Sequence, residues 1–298
     1  MFCHNRIRER APSAARPLIE SLESRQFLST TVLPHFQLRV KARPYVPAPS
    51  PVSQPPDPLS PAGPSLPGNW QLNFYDEFNG DSLDPIWRPV EYFSNTHTSE
   101  AGEAEAYDST GVSVSNGALQ LTAQKEKKYG RSYVSGLVQT GGQTNQRNSP
   151  VFSFLYGYIE VRAKIPFGKG LWPAIWMLPA SHHDGNGEID IMENLAGDPT
   201  TSYLTVHRHG THQQHVFSSD LNLSADYHTY AVDWEPDHIT WYLDGNAVAT
   251  TTRTSLIPTE PMYPILDLAV GGWAGKPNAS TDFPSSMSVD YVRVWQQS

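Results

Sequence analysis

Sorted by where apolar residues fall, the chain divides at about residue 68. Beyond that point, short runs alternate apolar and polar positions with a period of two, separated by Gly, Asn, Asp or Pro. This is the pattern of strands with one buried face. It predicts strands at 70–78, at 112–124 with a turn at Asn116-Gly117, and at 156–165, 174–178, 188–194 and 203–209. Further strands are expected at 228–236, 238–245, 264–270 and 287–296. No segment sustains a 3.6-residue period and no internal repeat is seen, so the expectation is an all-β sandwich or barrel spanning 68–298 as one domain.

Ahead of residue 68 the alternation is lost. Ten of the 24 residues from Pro44 to Pro67 are proline. Such a stretch lacks the N–H groups to pair into a sheet and cannot continue a helix, so residues 30–67 are expected to form an extended linker without regular structure. Residues 1–29 are rich in arginine (Arg6, Arg8, Arg10, Arg16, Arg25) and lack the apolar core of a standard secretory signal. The text ESLESRQFLS at 20–29 resembles a short element, LExRxLLS, near the N-termini of exported bacterial proteins. A disordered tail is the competing reading. The first predicts a secreted, cell-surface or periplasmic protein.

Composition narrows the partners. With 8 Trp, 14 Tyr and 11 Phe the chain can build a large core. Its net charge of −9 argues against nucleic acid and anionic membranes and leaves neutral polymers open. The one cysteine, Cys3, precludes an intramolecular disulfide. No apolar run reaches the roughly 18 residues of a membrane-spanning helix. A monomer is expected.

The stretch GEIDIMEN, 187–194, sets Glu188, Asp190 and Glu193 in an otherwise apolar run. In a strand, Glu188 and Asp190 share a face, whereas strict alternation would bury Glu193. One extra residue near Ile191-Met192, a β-bulge, returns Glu193 to the acidic face and avoids burying a charge. Three carboxylates on one face repel, so at least one pKa is expected to rise. Two carboxyls in different protonation states suit cleavage of a glycosidic bond. A calcium site or a solvated face remains an alternative at this level.

Trp172, Ala174 and Trp176 share one face of a neighbouring strand, where flat indoles can stack on sugar rings. Trp234 and Trp241 are expected in the core. In VHRHGTHQQH, 206–215, His207 and His209 share a strand face, a pair zinc could use, although no cysteine assists and the spacing matches no standard zinc motif. His182 and His183 precede the acids and are expected at a cleft rim or exposed.

Taken together, GEIDIMEN, GKGLWPAIWMLP, YDEFNG, GYIEVRAKIP, HTYAVDWEPDHITWYLDG, DLAVGGWAG and VDYVRVWQ resemble glycoside hydrolase family 16 over nearly all of 70–296. The bulged E-x-D-x-x-E form resembles its laminarinase-like branch of endo-β-1,3-glucanases. The resemblance implies a jelly-roll β-sandwich with an open concave cleft and a retaining endo-β-glucanase. Its substrate would be laminarin or mixed 1,3-1,4-glucan. Galactan hydrolysis of the agarase or carrageenase kind, or glucan binding without catalysis, are the alternatives. Glu188 would be the nucleophile, Glu193 the acid/base, and Asp190 the hydrogen-bonding residue between them. Trp172, Trp176, His207 and Trp273 would line the substrate cleft. No cofactor would be required for catalysis. A structural calcium would be held by the Asp290 side chain and the Glu77 and Gly117 carbonyls. The chain departs from the family text at Asp267, commonly Asn, at Gly102, Glu103 and Glu105, where "NNE" is frequent, and at Leu137, where Arg is usual.

Overall fold

The computed structural model describes residues 61–89, 102–141, 150–181 and 187–298. The export-like segment 1–29, most of the Pro-rich stretch, and His182 and His183 lie outside them. Two antiparallel sheets pack face to face, a jelly-roll β-sandwich. The eight-stranded sheet runs β14 (Asn246–Thr251), β13 (Ile239–Leu243), β12 (His228–Trp234), β7 (Gly157–Lys164), β16 (Ser285–Gln297), β4 (Ala118–Ala123) and β3 (Val112–Ser115). In this sheet β1 (Trp70–Asp76) pairs with the second half of β16. The six-stranded sheet runs β11 (Thr211–Ser218), β10 (Thr201–Arg208), β9 (Glu188–Glu193), β8 (Leu171–Pro179), β15 (Met262–Val270) and β6 (Leu137–Gln139). A short parallel pair, β2 (Glu105–Tyr107) and β5 (Tyr133–Ser135), completes the fold.

The core lies between the two sheets. Leu119, Leu121, Ile159 and Val161 on one side meet Ile175, Met177, Ile189 and Leu266 on the other, all buried. Trp234 and Trp241 are fully buried, as expected. Because alternate residues point opposite ways, burying these positions leaves their neighbours on β8, β9 and β15 facing the cleft.

The expected strands are present within a few residues, and the differences have local causes. Asn116 (φ 55°) and Gly117 (φ 71°) make the tight turn joining β3 to β4. β8 starts at Leu171, earlier than predicted, with Pro173 inside it. Proline argues against a central strand because it donates no ladder bond. Here its carbonyl faces β9, accepting the Asn194 N–H at 3.2 Å just beyond that strand's end, so the missing donor costs β15 nothing. β11 was not expected because THQQHVFS is an edge strand, partly exposed on both faces and without apolar alternation. The three-residue strands and β14 carry too few residues for a period to register.

On the far face of the eight-stranded sheet a second cluster forms around Tyr158, Ala231 and Trp295, with Leu66, Trp70, Leu72 and Tyr242 packed on it. Packing contacts thus reach a few residues into the Pro-rich stretch. Removal of residues 1–60 is expected to leave cooperative unfolding and Tm unchanged. Removal of 1–67 should lower stability by about 1 kcal/mol through loss of the half-buried Leu66. Thermal melts of the two truncations check this; loss of cooperative unfolding in the shorter deletion contradicts it. Among the described residues no helix is long and apolar enough to cross a membrane.

Candidate active site

The bulge read from the sequence is present. On β10 the register steps from Thr205 to Tyr203 while on β9 it steps from Asp190 to Glu193. On β8 the matching step is from Trp176 to Ala174. β9 therefore holds one residue more than either neighbour over this span. Ile189, Ile191 and Met192 are all buried, and the parity resets so that Glu193 rejoins Glu188 and Asp190 on the cleft face. The bulge is also held from the opposite sheet: the Trp241 indole donates to the Asp190 carbonyl at 2.8 Å. Trp241 is thus a core residue with a polar handle, satisfied at the point where the ladder is irregular.

Each acid has its own surroundings. Asp190 is buried, and its Oδ2 lies 3.1 Å from His207 Nε2. Glu188 is half-buried, with His207 opposite it across the β9–β10 ladder. Glu193 Oε1 accepts the Trp172 indole N–H at 3.1 Å. Burial pushes the Glu193 carboxyl well above the usual carboxylate range, and the charges of Asp190 and Glu188 push the same way; the Trp172 hydrogen bond opposes them. The direction of that shift favours the protonated form, which an acid needs; the side chain itself is half-buried, like that of Glu188.

The expected aromatic positions converge on the same floor. Trp172 and Trp176 are half-buried, and Trp176 donates its indole N–H to Asp267 Oδ1 at 2.8 Å. Trp273 is 43% exposed, sits edge-on to Trp172 at 5.8 Å and lies 4.5 Å from the Tyr203 ring. The loop before it has to contain glycine. A Cβ on Gly272 (φ 52°) would come within 3.0 Å of Trp172 and 3.1 Å of Glu103.

Sequence reasoning did not single out Tyr203, which stands opposite Glu193, or Tyr107, whose hydroxyl donates to Asp267 Oδ2 at 2.8 Å. Glu103, Glu105 and Asp267 were visible only as departures from the family text. In space they gather beside the tryptophans. Glu105 is fully buried, accepts the Val270 N–H at 2.8 Å, and is raised well above its ordinary pKa by burial and by Glu103. The periodic pattern could not reveal this group, because it joins residues about 160 positions apart.

Two metal readings can be compared with the geometry. His209 does not stay in register with His207: it leaves the strand at φ 51° and forms the β10–β11 turn with Gly210, so the expected shared face is lost. The donor atoms of Glu188, Asp190 and His207 lie within 4.8 Å of one another, and Asp190 and His207 are already hydrogen-bonded at 3.1 Å. For calcium, β1 ends opposite Val292 and β4 pairs up to Val289, so the ends of both strands flank Asp290 on β16. Glu77 follows the end of β1 and Gly117 precedes β4, next to that position in the sheet order. The Asp290 carboxylate is bonded to Arg162 at 2.6 Å, so a cation there would compete with a guanidinium.

A carboxyl of raised proton affinity on one strand face with two further carboxyls, beside half-buried indoles, suits glycosidic cleavage, and the class so defined is that of the glycoside hydrolases. Residues 101–293 match the family model described as glycosyl hydrolases family 16, and the chain belongs to that family. It is 32% identical over 256 residues to a beta-glucanase of Rhodothermus marinus, covering 76% of this chain and 86% of that one. It is 34% identical to glucan endo-1,3-beta-glucosidase A1 of Niallia circulans, spanning 80% of this chain but 39% of that longer protein. The catalytic domain of an endo-1,3-beta-glucanase (laminarinase) from Thermotoga petrophila RKU-1 superposes with a TM-score of 0.68 at 32% identity, covering 77% of this chain and 99% of that one.

Proposed function

We propose that this chain is an endo-acting, retaining hydrolase of β-1,3-containing glucans in which Glu188 is the nucleophile and Glu193 the acid/base. The observation that carries this reading is the bulge, which brings Glu188, Asp190 and Glu193 to one face, where burial and its two neighbours raise the proton affinity of Glu193. In the first step Glu188 bonds to the anomeric carbon as the glycosidic C–O bond breaks, and the Glu193 proton passes to the departing oxygen. In the second, water attacks the anomeric carbon, gives its proton to Glu193 and releases Glu188. Asp190, held by His207 and by the Trp241 contact to its backbone, fixes the strand between the two reacting acids. Trp172, Trp176 and Trp273 supply the faces on which sugars stack. The chemistry uses protein groups alone.

An open cleft admits an internal bond, which favours endo cleavage. Stacking reads a sugar's face more than its linkage, so mixed 1,3-1,4-glucan is included in the proposal. The carboxyl groups of Glu103 and Asp267 beside the floor disfavour a sulfated galactan. Retention of all three acids disfavours a binding protein without catalysis. Domain limits of 68–298, an exported monomer, and a calcium held by Asp290 with the Glu77 and Gly117 carbonyls complete the proposal. Product analysis on laminarin, lichenan, agarose and carrageenan tests it. A ladder of oligosaccharides should appear early from laminarin, with lichenan also cleaved. Cleavage of agarose alone, or glucose as the only early product, would overturn it.

A further inference from the structure

Beside the buried Glu103 and Glu105, the cleft floor carries another buried carboxylate, Asp267, that the proposed mechanism leaves without a role. Asp267 is 5% exposed, and each of its oxygens accepts a hydrogen bond from a neutral aromatic donor. Oδ1 takes the Trp176 indole N–H and Oδ2 the Tyr107 hydroxyl, both at 2.8 Å. The phenol is held neutral, because burial and then the neighbouring Asp267 push its pKa well above the ordinary value. Two donors of this kind stabilise the charged form of a carboxylate.

The register places this group beside the acid/base. Asp267 on β15 pairs with Ala174 on β8, and Ala174 pairs with Glu193 on β9. Residues directly opposite in antiparallel strands share a face, so Asp267 and Glu193 lie on the same floor two inter-strand steps apart, about 10 Å between backbones. Ala174 lies between them with only a methyl group, and each flanking carboxyl receives the indole of one β8 tryptophan: Glu193 that of Trp172, Asp267 that of Trp176.

We propose that Asp267 is a positioning residue that fixes Trp176 and Tyr107 on the cleft floor and sets a negative charge on the same floor as the acid/base Glu193. The inference rests on the hydrolase reading for the role of Glu193, and on the register alone for the coupling. Other charged or titratable groups also face this region: Glu188 and Asp190 from β9, and Tyr203 and His207 from β10. Glu103, Glu105 and Tyr107 lie on the far side of Asp267, while β8 contributes neutral indoles. The Asp267 charge raises the Glu193 pKa alongside the larger effects of burial, Asp190 and Glu188.

Asp267→Asn separates charge from shape. Its amide oxygen can still accept from Trp176, and its amide N–H can donate to the Tyr107 hydroxyl. The alkaline limb of kcat/KM on laminarin, set by the group that must be protonated, is expected to move to lower pH. For charges carried on backbones about 10 Å apart, at an effective dielectric of about 20, the shift is roughly 1 pH unit. Asp267→Ala should show the same shift with a raised KM, because Trp176 also loses its anchor. Carboxyl-carbon NMR titration of Glu193 in wild type and D267N reads the coupling without turnover, so it holds even if the wild-type chain cleaves none of the glucans. That latter outcome would remove the hydrolase reading, while the titration would still decide the coupling between Asp267 and Glu193. If D267N does not fold, Asp267→Ser carries the same titration. A Glu193 titration and an alkaline limb unchanged on removal of the Asp267 charge would overturn the inference.

Discussion

Replacement of Glu188 by Gln is expected to abolish hydrolysis of every glycoside, natural or activated. The amide keeps the shape of the side chain but cannot form the ester to the anomeric carbon, and no neighbouring group occupies the same place. His207 lies opposite Glu188, and Asp190 is committed to His207 at 3.1 Å. Loss of a covalent nucleophile typically lowers kcat by at least about four orders of magnitude, on the order of 5 kcal/mol of transition-state stabilisation. Steady-state rates on laminarin and on an aryl β-glucoside of laminaribiose measure it. Near-normal turnover on either substrate would show that the roles are misassigned.

The Glu193→Gln variant is expected to behave differently, and the contrast separates the two acids. Without a proton donor, cleavage of laminarin should fall by about 10² to 10⁴. An aryl glycoside with a good leaving group needs no protonation, so its glycosyl–enzyme should still form and accumulate. Azide, which needs no general base, should then restore turnover and yield a β-glycosyl azide. The pH profile of the variant should lose the alkaline limb of the wild type. That limb reflects a carboxyl raised chiefly by burial and protonated until pH exceeds the raised value. No rescue by azide, together with equal loss on good and poor leaving groups, would argue against Glu193 as the acid/base.

The D267N titration bears on the same proton from a distance. E193Q removes the proton donor itself, whereas D267N removes a charge on the same floor and turns round the hydrogen bond with Tyr107. A shift in the second without loss of turnover would establish that the floor beside β9 sets the working pH range.

How much of this was legible in the sequence differs from residue to residue. The three acids and their bulge were readable because strand parity is a local property: two steps keep a face and three change it, so Glu193 could reach the cleft only through an extra residue. The alternation that buried Ile189 and Ile175 likewise fixed which face of β8 would carry Trp172 and Trp176. Pro173 blurred the start of β8, since a missing N–H is tolerated only where the neighbouring strand has already ended. The polar edge strand β11 was hidden because an edge exposed on both faces carries no apolar alternation.

What the sequence determined by itself is therefore what short-range rules control: the all-β class, the strands that alternate, the shared face of Glu188, Asp190 and Glu193, and the placing of Trp172 and Trp176 on the strand face beside them. The tertiary structure alone decided which distant groups meet. It set Trp241 of the opposite sheet on the carbonyl of Asp190, His207 on its carboxylate, and Tyr107 and Trp176 on Asp267. It also turned His209 out of the strand that His207 occupies. These contacts depend on the order and register of strands far apart in the chain, which a local period does not encode, and on the burial they create, which is what raises the proton affinity of Glu193.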